Sequence, residues 1–162
     1  MNHRECDRTY HLCWEAYPFN AQQQINISVS PGQTIFVNVA YYGFSTAHYY
    51  IKNESTGVAT SFNASLSGGF TGLNAEWIVE RTQEGNNYPP LADFNSTTFT
   101  DANAEQGSTW SGVGNWSHNY DNMHDPFGDD SEVTEAYPGP ITSGNTFTLY
   151  WSSYGDSDAA GT

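Results

Sequence analysis

Apolar and polar residues alternate in short runs along this chain, and turn-forming residues break each run after a few positions. Residues 25–30, 34–40, 48–52, 75–80 and 146–151 carry β-branched, aromatic or other apolar side chains at every second position. That spacing puts them on one face of a strand. No long stretch repeats apolar residues at three-and-four spacing, so helices are not expected. Gly, Ser, Thr and Asn interrupt the chain every few residues. The pattern predicts an all-β protein: an antiparallel β-sandwich of two packed, curved sheets, of the concanavalin-like or jelly-roll type. Ser30-Pro31-Gly32-Gln33 predicts a type II turn, because Pro presets φ at the second position and Gly tolerates positive φ at the third. At 162 residues the length fits one domain.

The most informative run is Asn74-Ala75-Glu76-Trp77-Ile78-Val79-Glu80. Read as a strand, it places Ala75, Trp77 and Val79 on one face and Glu76, Ile78 and Glu80 on the other. Two carboxylates on one face, with a tryptophan anchoring the reverse, suit a sheet whose polar face is a working cleft.

Other segments join it in a fixed order. Tyr10-His11-Leu12-Cys13-Trp14-Glu15-Ala16-Tyr17-Pro18 is an aromatic stretch, followed by the Pro31-Gly32 turn and Asn53-Glu54-Ser55-Thr56-Gly57. After Glu80 come Pro90-Leu91-Ala92-Asp93-Phe94 and Thr97-Thr98-Phe99-Thr100. From about Tyr10 to Ala104 this series resembles the glutamic peptidases (eqolisins), a family of acid-active secreted endopeptidases. The 74–80 run is similar, nearly letter for letter, to the strand that carries the family's catalytic glutamate. Residues 105–144 match no family landmark and read as an acidic loop insertion, and residues 146–151 again resemble a closing strand of the family.

The resemblance implies a Glu and Gln pair. The Glu is the general base that activates water against the peptide carbonyl, and the Gln amide holds that water and stabilises the oxyanion. An amide donor never titrates, so this chemistry suits acid pH without a histidine. By position, Glu76 takes the base role. Glu80 lies roughly 13 Å along the same face at ~3.3 Å per residue, too far to be its immediate partner. Glu15 and Tyr17 share one face of their run by period-two alternation, with Trp14 and Ala16 on the other. Glu15, Tyr17, Trp14 and Glu80 are the expected walls of a polypeptide groove. The family's glutamine falls at or before Met1, and Gln22, Gln23, Gln24, Gln33, Gln83 and Gln106 all lie downstream of the matching position. Cys13 also replaces a family tryptophan. The expectation is a chain whose N-terminal strands are missing and which is weakly active or inactive as it stands. The alternative is a non-catalytic extracellular coat or filament subunit on the same sandwich, self-associating through exposed sheet edges. A β-sandwich glycosidase using Glu15 and Glu76 fits less well, because the landmarks around Glu76 are peptidase-like.

Charge narrows the partners. Four Lys and Arg against eighteen Asp and Glu give a formal net charge of −14 at pH 7. Nucleic acid is excluded as a partner, since there is no basic stripe to neutralise phosphates. No apolar run is long enough to span a membrane. Sequons at Asn26, Asn53, Asn63, Asn95 and Asn115 predict a secreted glycoprotein. Met1-Asn2-His3-Arg4-Glu5 is not a signal peptide. Cys6 and Cys13 either pair with each other or leave Cys13 as an inert half-buried thiol. No cofactor is expected. In the acidic stretch, Asp121, Asp125, Asp129 and Glu132 brush the spacing of a calcium loop, but Met123 replaces a ligand and the glycine is misplaced. His118 and His124 fit no zinc template, so no metal is expected.

Overall fold

The structure is a computed structural model that describes residues 10–16, 20–43, 45–66, 72–81, 89–124 and 133–154. All its regular elements are antiparallel β-strands apart from one short 3-10 turn, Val113–Asn115. This is the expected fold class. The chain divides into two compact units, Met1–Leu73 and Asn74–Thr162.

In the first unit, β1 (Leu12–Ala16) and β2 (Asn20–Ile25) form a hairpin. Strands β3 (Ile35–Tyr41), β4 (Thr46–Asn53) and β5 (Ala59–Ser65) form a three-stranded meander. Period-two alternation decides the packing. Ala47, Tyr49 and Ile51 of β4 turn one way, with Phe62 and Ala64 of β5 beside them. They meet Leu12, Trp14 and Ala16 of β1 and Ile25 at the end of β2. The Trp14 ring lies 5.0 Å from Phe62 and 5.5 Å from Tyr49, and Tyr49 stacks on Phe62 at 5.2 Å. Burial holds the Tyr49 phenol above its ordinary pKa. The turn at Pro31 and Gly32 forms as expected, with Gly32 at φ +80 and the Gln33 amide donating to the Ser30 carbonyl at 3.2 Å.

The β4–β5 connection is organised by Asn53, which is fully buried. Its Oδ1 accepts from the Ser55 and Thr56 amides at 3.1 and 3.2 Å. Its Nδ2 donates to the Ser28 carbonyl at 3.0 Å and to Gln33 Oε1 at 2.9 Å. One side chain thus ties the Ser28 backbone, the Gln33 side chain and the turn at Ser55 and Thr56 together.

In the second unit, β6 (Ser96–Phe99), β9 (Met123–His124), β10 (Thr134–Pro138) and β11 (Phe147–Trp151) form a sheet in the order β6-β11-β10-β9. Strands β7 (Asn103–Gln106) and β8 (Thr109–Gly112) make a separate hairpin. The core is Ala102, Phe147 and Leu149, with Phe99, Val113, Ile141, Trp77 and Val79 packed against it. Residues 105–144, expected as an acidic loop, contain β8, β9 and the inner strand β10. β10 was hidden in sequence because a strand only five residues long ends in a proline and earns its place by pairing with β11.

Two strand boundaries differ from expectation. The run at 25–30 is not a strand: Ile25 closes β2 and Ile27 is buried beyond its end. The polar residues before it form β2 instead, because pairing with β1 rather than their own propensity holds them there.

Candidate active site

Residues 74–81 run through the second unit without joining any ladder among the described residues. The expected strand is therefore corrected to an unpaired segment, and its expected two-sidedness holds from Glu76 onward, whereas Ala75 is exposed. Trp77 and Val79 turn onto the core formed by Ala102, Phe147 and Leu149. Glu76, Ile78 and Glu80 are exposed. Alternation in sequence reports which face is buried; it does not report whether a neighbouring strand exists.

The inward row continues to Arg81, whose side chain is 5% exposed. Its Nη1 donates to Glu135 Oε1 at 2.7 Å, and the Glu135 side chain is fully buried. Arg81 Nε donates to the Pro89 carbonyl at 2.7 Å. Sequence reasoning passed over this pair, although a signal was present. Arg81 is one of only four Lys and Arg in the chain and stands in the apolar row of Trp77 and Val79. A cation in such a row requires a buried partner.

The Glu76 carboxyl makes no hydrogen bond or ion pair with another described residue. It is thus an accessible carboxylate on a segment whose opposite side is anchored at three points, an arrangement able to accept a proton from water.

The expected groove residues fall out differently. Glu15 is exposed on the outward face of β1, and its carbonyl accepts from the Tyr49 hydroxyl at 3.4 Å. Trp14 is corrected from groove wall to core residue: the alternation of β1 sends its ring inward onto Tyr49 and Phe62. Tyr17 lies outside the described residues. β1 belongs to the first unit, Glu76 and Glu80 to the second.

None of the described glutamines bonds Glu76. Gln33 Oε1 accepts from Asn53 Nδ2 and the Ser30 amide, and Gln24 bonds His11. Gln83 lies outside the described residues.

Among the sequons, Asn26, Asn63, Asn95 and Asn115 are exposed. Asn53 is fully buried, and its Nδ2, which a sugar would occupy, makes two part-buried hydrogen bonds, so this fold disfavours glycosylation there. Cys13 is exposed, not half-buried, and Cys6 lies outside the described residues. His118 Nδ1 lies 2.8 Å from the Trp116 carbonyl, and His124 pairs across the ladder with Thr134. Asp125, Asp129 and Glu132 of the calcium-loop spacing lie outside the described residues.

Residues 1–126 match the Peptidase A4 family. The chain belongs to this family. The family membership agrees with the eqolisin resemblance of the sequence. The chain is similar to aspergillopepsin-2 of Aspergillus niger, 35% identical over 103 residues, covering 62% of this chain and 36% of that protein. It is 31% identical over 104 residues to scytalidopepsin B of Scytalidium lignicola, covering 59% of this chain and 40% of that protein. The matched stretches thus span less than half the length of either relative. The crystal structure of aspergilloglutamic peptidase from Aspergillus niger resembles this fold with a TM-score of 0.72 at 27% identity. That likeness covers 89% of this chain and 81% of the other.

Proposed function

We propose that Glu76 is the general base of a glutamic-type acid endopeptidase acting outside the cell on polypeptides. The observation that carries this reading is an exposed carboxylate on a segment locked from behind by Trp77, Val79 and Arg81. In the proposed reaction Glu76 takes a proton from water, and the water oxygen attacks the peptide carbonyl carbon. The tetrahedral oxyanion collapses as Glu76 returns the proton to the departing amine nitrogen. Exposure of Asn26, Asn63, Asn95 and Asn115 is consistent with an extracellular glycoprotein.

An oxyanion donor is the weak link of the site. With no described glutamine bonded to Glu76, turnover is expected to be low, since one lost donor costs about 10²–10³ in rate. The test is cleavage of a denatured protein at about pH 3–4, near the ordinary carboxylate range, with pepstatin present to silence contaminating aspartic peptidases. Wild type should cleave slowly and Glu76→Gln should abolish cleavage. Equal silence of both proteins would reject the catalytic reading and favour a non-catalytic extracellular role on the same fold.

A further inference from the structure

We propose that the buried Arg81–Glu135 pair is a positioning device that fixes the register of the Glu76 segment. This rests on the reading of Glu76 as the base, and it concerns residues that would not touch substrate.

The segment needs such a device because no ladder supplies one. Among the described residues, 74–81 pairs with no strand. Its apolar anchors, Trp77 and Val79, are spaced by two. A slip of two residues would keep the inward and outward alternation, so the apolar pattern by itself does not set the register. The outward row would then bring Asn74 or Ile78 to the place of Glu76, and the site would lose its carboxylate. The ion pair forbids this. A two-residue slip moves Arg81 by roughly 6.6 Å at ~3.3 Å per residue, which pulls its guanidinium out of reach of the fully buried Glu135 carboxylate.

Glu135 is itself held for the task. The β9–β10 ladder pairs Thr134 with His124 and Ala136 with Met123, so Glu135 is the extra residue of a bulge. Without that irregularity it would share the face of Tyr137, which is 42% exposed. A bulge re-aims one side chain, here into the interior. The Glu135 carbonyl also accepts from the Ser152 and Ser153 amides at 2.7 and 3.2 Å, which fixes its backbone. The pair joins residues 54 apart in sequence, and a fixed point on the sheet is what a register mark requires.

The test is the double variant Arg81→Met with Glu135→Leu, which replaces the pair by apolar groups of similar volume and is expected to stay folded. Glu76 is followed by NMR of 13C-labelled glutamate carboxyls, and activity by kcat and KM. A register mark predicts that the single Glu76 signal broadens or splits in the folded double variant. It also predicts that kcat falls about a hundredfold, the scale of a ~1 Å misplacement, while KM barely changes. Arg81→Lys, which keeps the charge but loses the bond from Nε to Pro89, should fall between the two and serves if the double variant does not fold. One sharp Glu76 signal at the wild-type position, in either folded variant, overturns the proposal. If wild type is silent in the acid assay, the catalytic reading fails by itself and the carboxyl signal still decides the register question.

Discussion

Each unit contains an ion pair among its described residues, and the two have the same 2.7 Å separation. In the first, Lys52 and Glu54 stand two residues apart with side chains 32% and 41% exposed. In the second, Arg81 and Glu135 are 54 residues apart and 5% and 0% exposed. Distance alone would rank them equal, but burial separates them. Water screens the exposed pair, and its members are already neighbours in the unfolded chain. The buried pair binds two distant segments, and neither member can be removed without leaving the other charge in a low-dielectric interior.

The contrast breaks most directly at Glu135. Glu135→Leu alone should cost about 3–5 kcal/mol, because it removes the carboxylate that faces the buried Arg81 guanidinium. Urea denaturation followed by circular dichroism reads the loss. A cost under about 1 kcal/mol would put this pair with ordinary surface bridges and erase the difference between the units.

Asn53 sharpens the comparison by asking whether charge is needed at all. Among the described residues it is the fully buried polar side chain of the first unit, as Glu135 is of the second, and it satisfies its neighbours with a neutral amide. Asn53→Ala leaves the Ser28 carbonyl and the Ser55 and Thr56 amides without these bonds, so a loss of about 2–3 kcal/mol is expected. The same denaturation experiment checks it. A loss matching that of Glu135→Leu would mean that an amide tie is as hard to break as an ionic one.

What the sequence disclosed follows the same division. β4 and β11 were legible from alternation, because their own side chains alternate between more and less buried positions. β3 was legible from its β-branched run alone, since Val37 and Val39 of its apolar row are exposed. β2 was not, since Gln22, Gln23 and Gln24 are all exposed and the strand exists through its partner. The two faces of the 74–80 run were legible, but the missing ladder was not, because nothing local to a strand encodes its neighbours. Glu135 follows the cluster Asp129, Asp130 and Glu132 in sequence, and spacing does not distinguish a buried carboxylate from solvated ones. Asn53 read as a sequon because a local motif says nothing about the Ser28 carbonyl that claims its amide.

The smallest effect is expected at Lys52. Its hydrogen bond to Glu54, with the charge of Glu54 adding to it, raises the Lys52 pKa above its ordinary 10.5. A group whose pKa is raised by folding contributes its stability below the unfolded pKa and loses it as pH rises through the folded value. Any contribution is therefore present at neutral pH and disappears only in strong alkali. Lys52→Ala should leave the denaturation midpoint at pH 7 essentially unchanged, because an exposed pair gains little that water does not already supply. Whatever difference exists should shrink as the pH is raised through the elevated Lys52 pKa and on adding salt. A Lys52→Ala loss comparable to that of Glu135→Leu would show that burial is not what separates the two pairs. The case for Arg81 and Glu135 as a long-range tie would then have to rest on register alone.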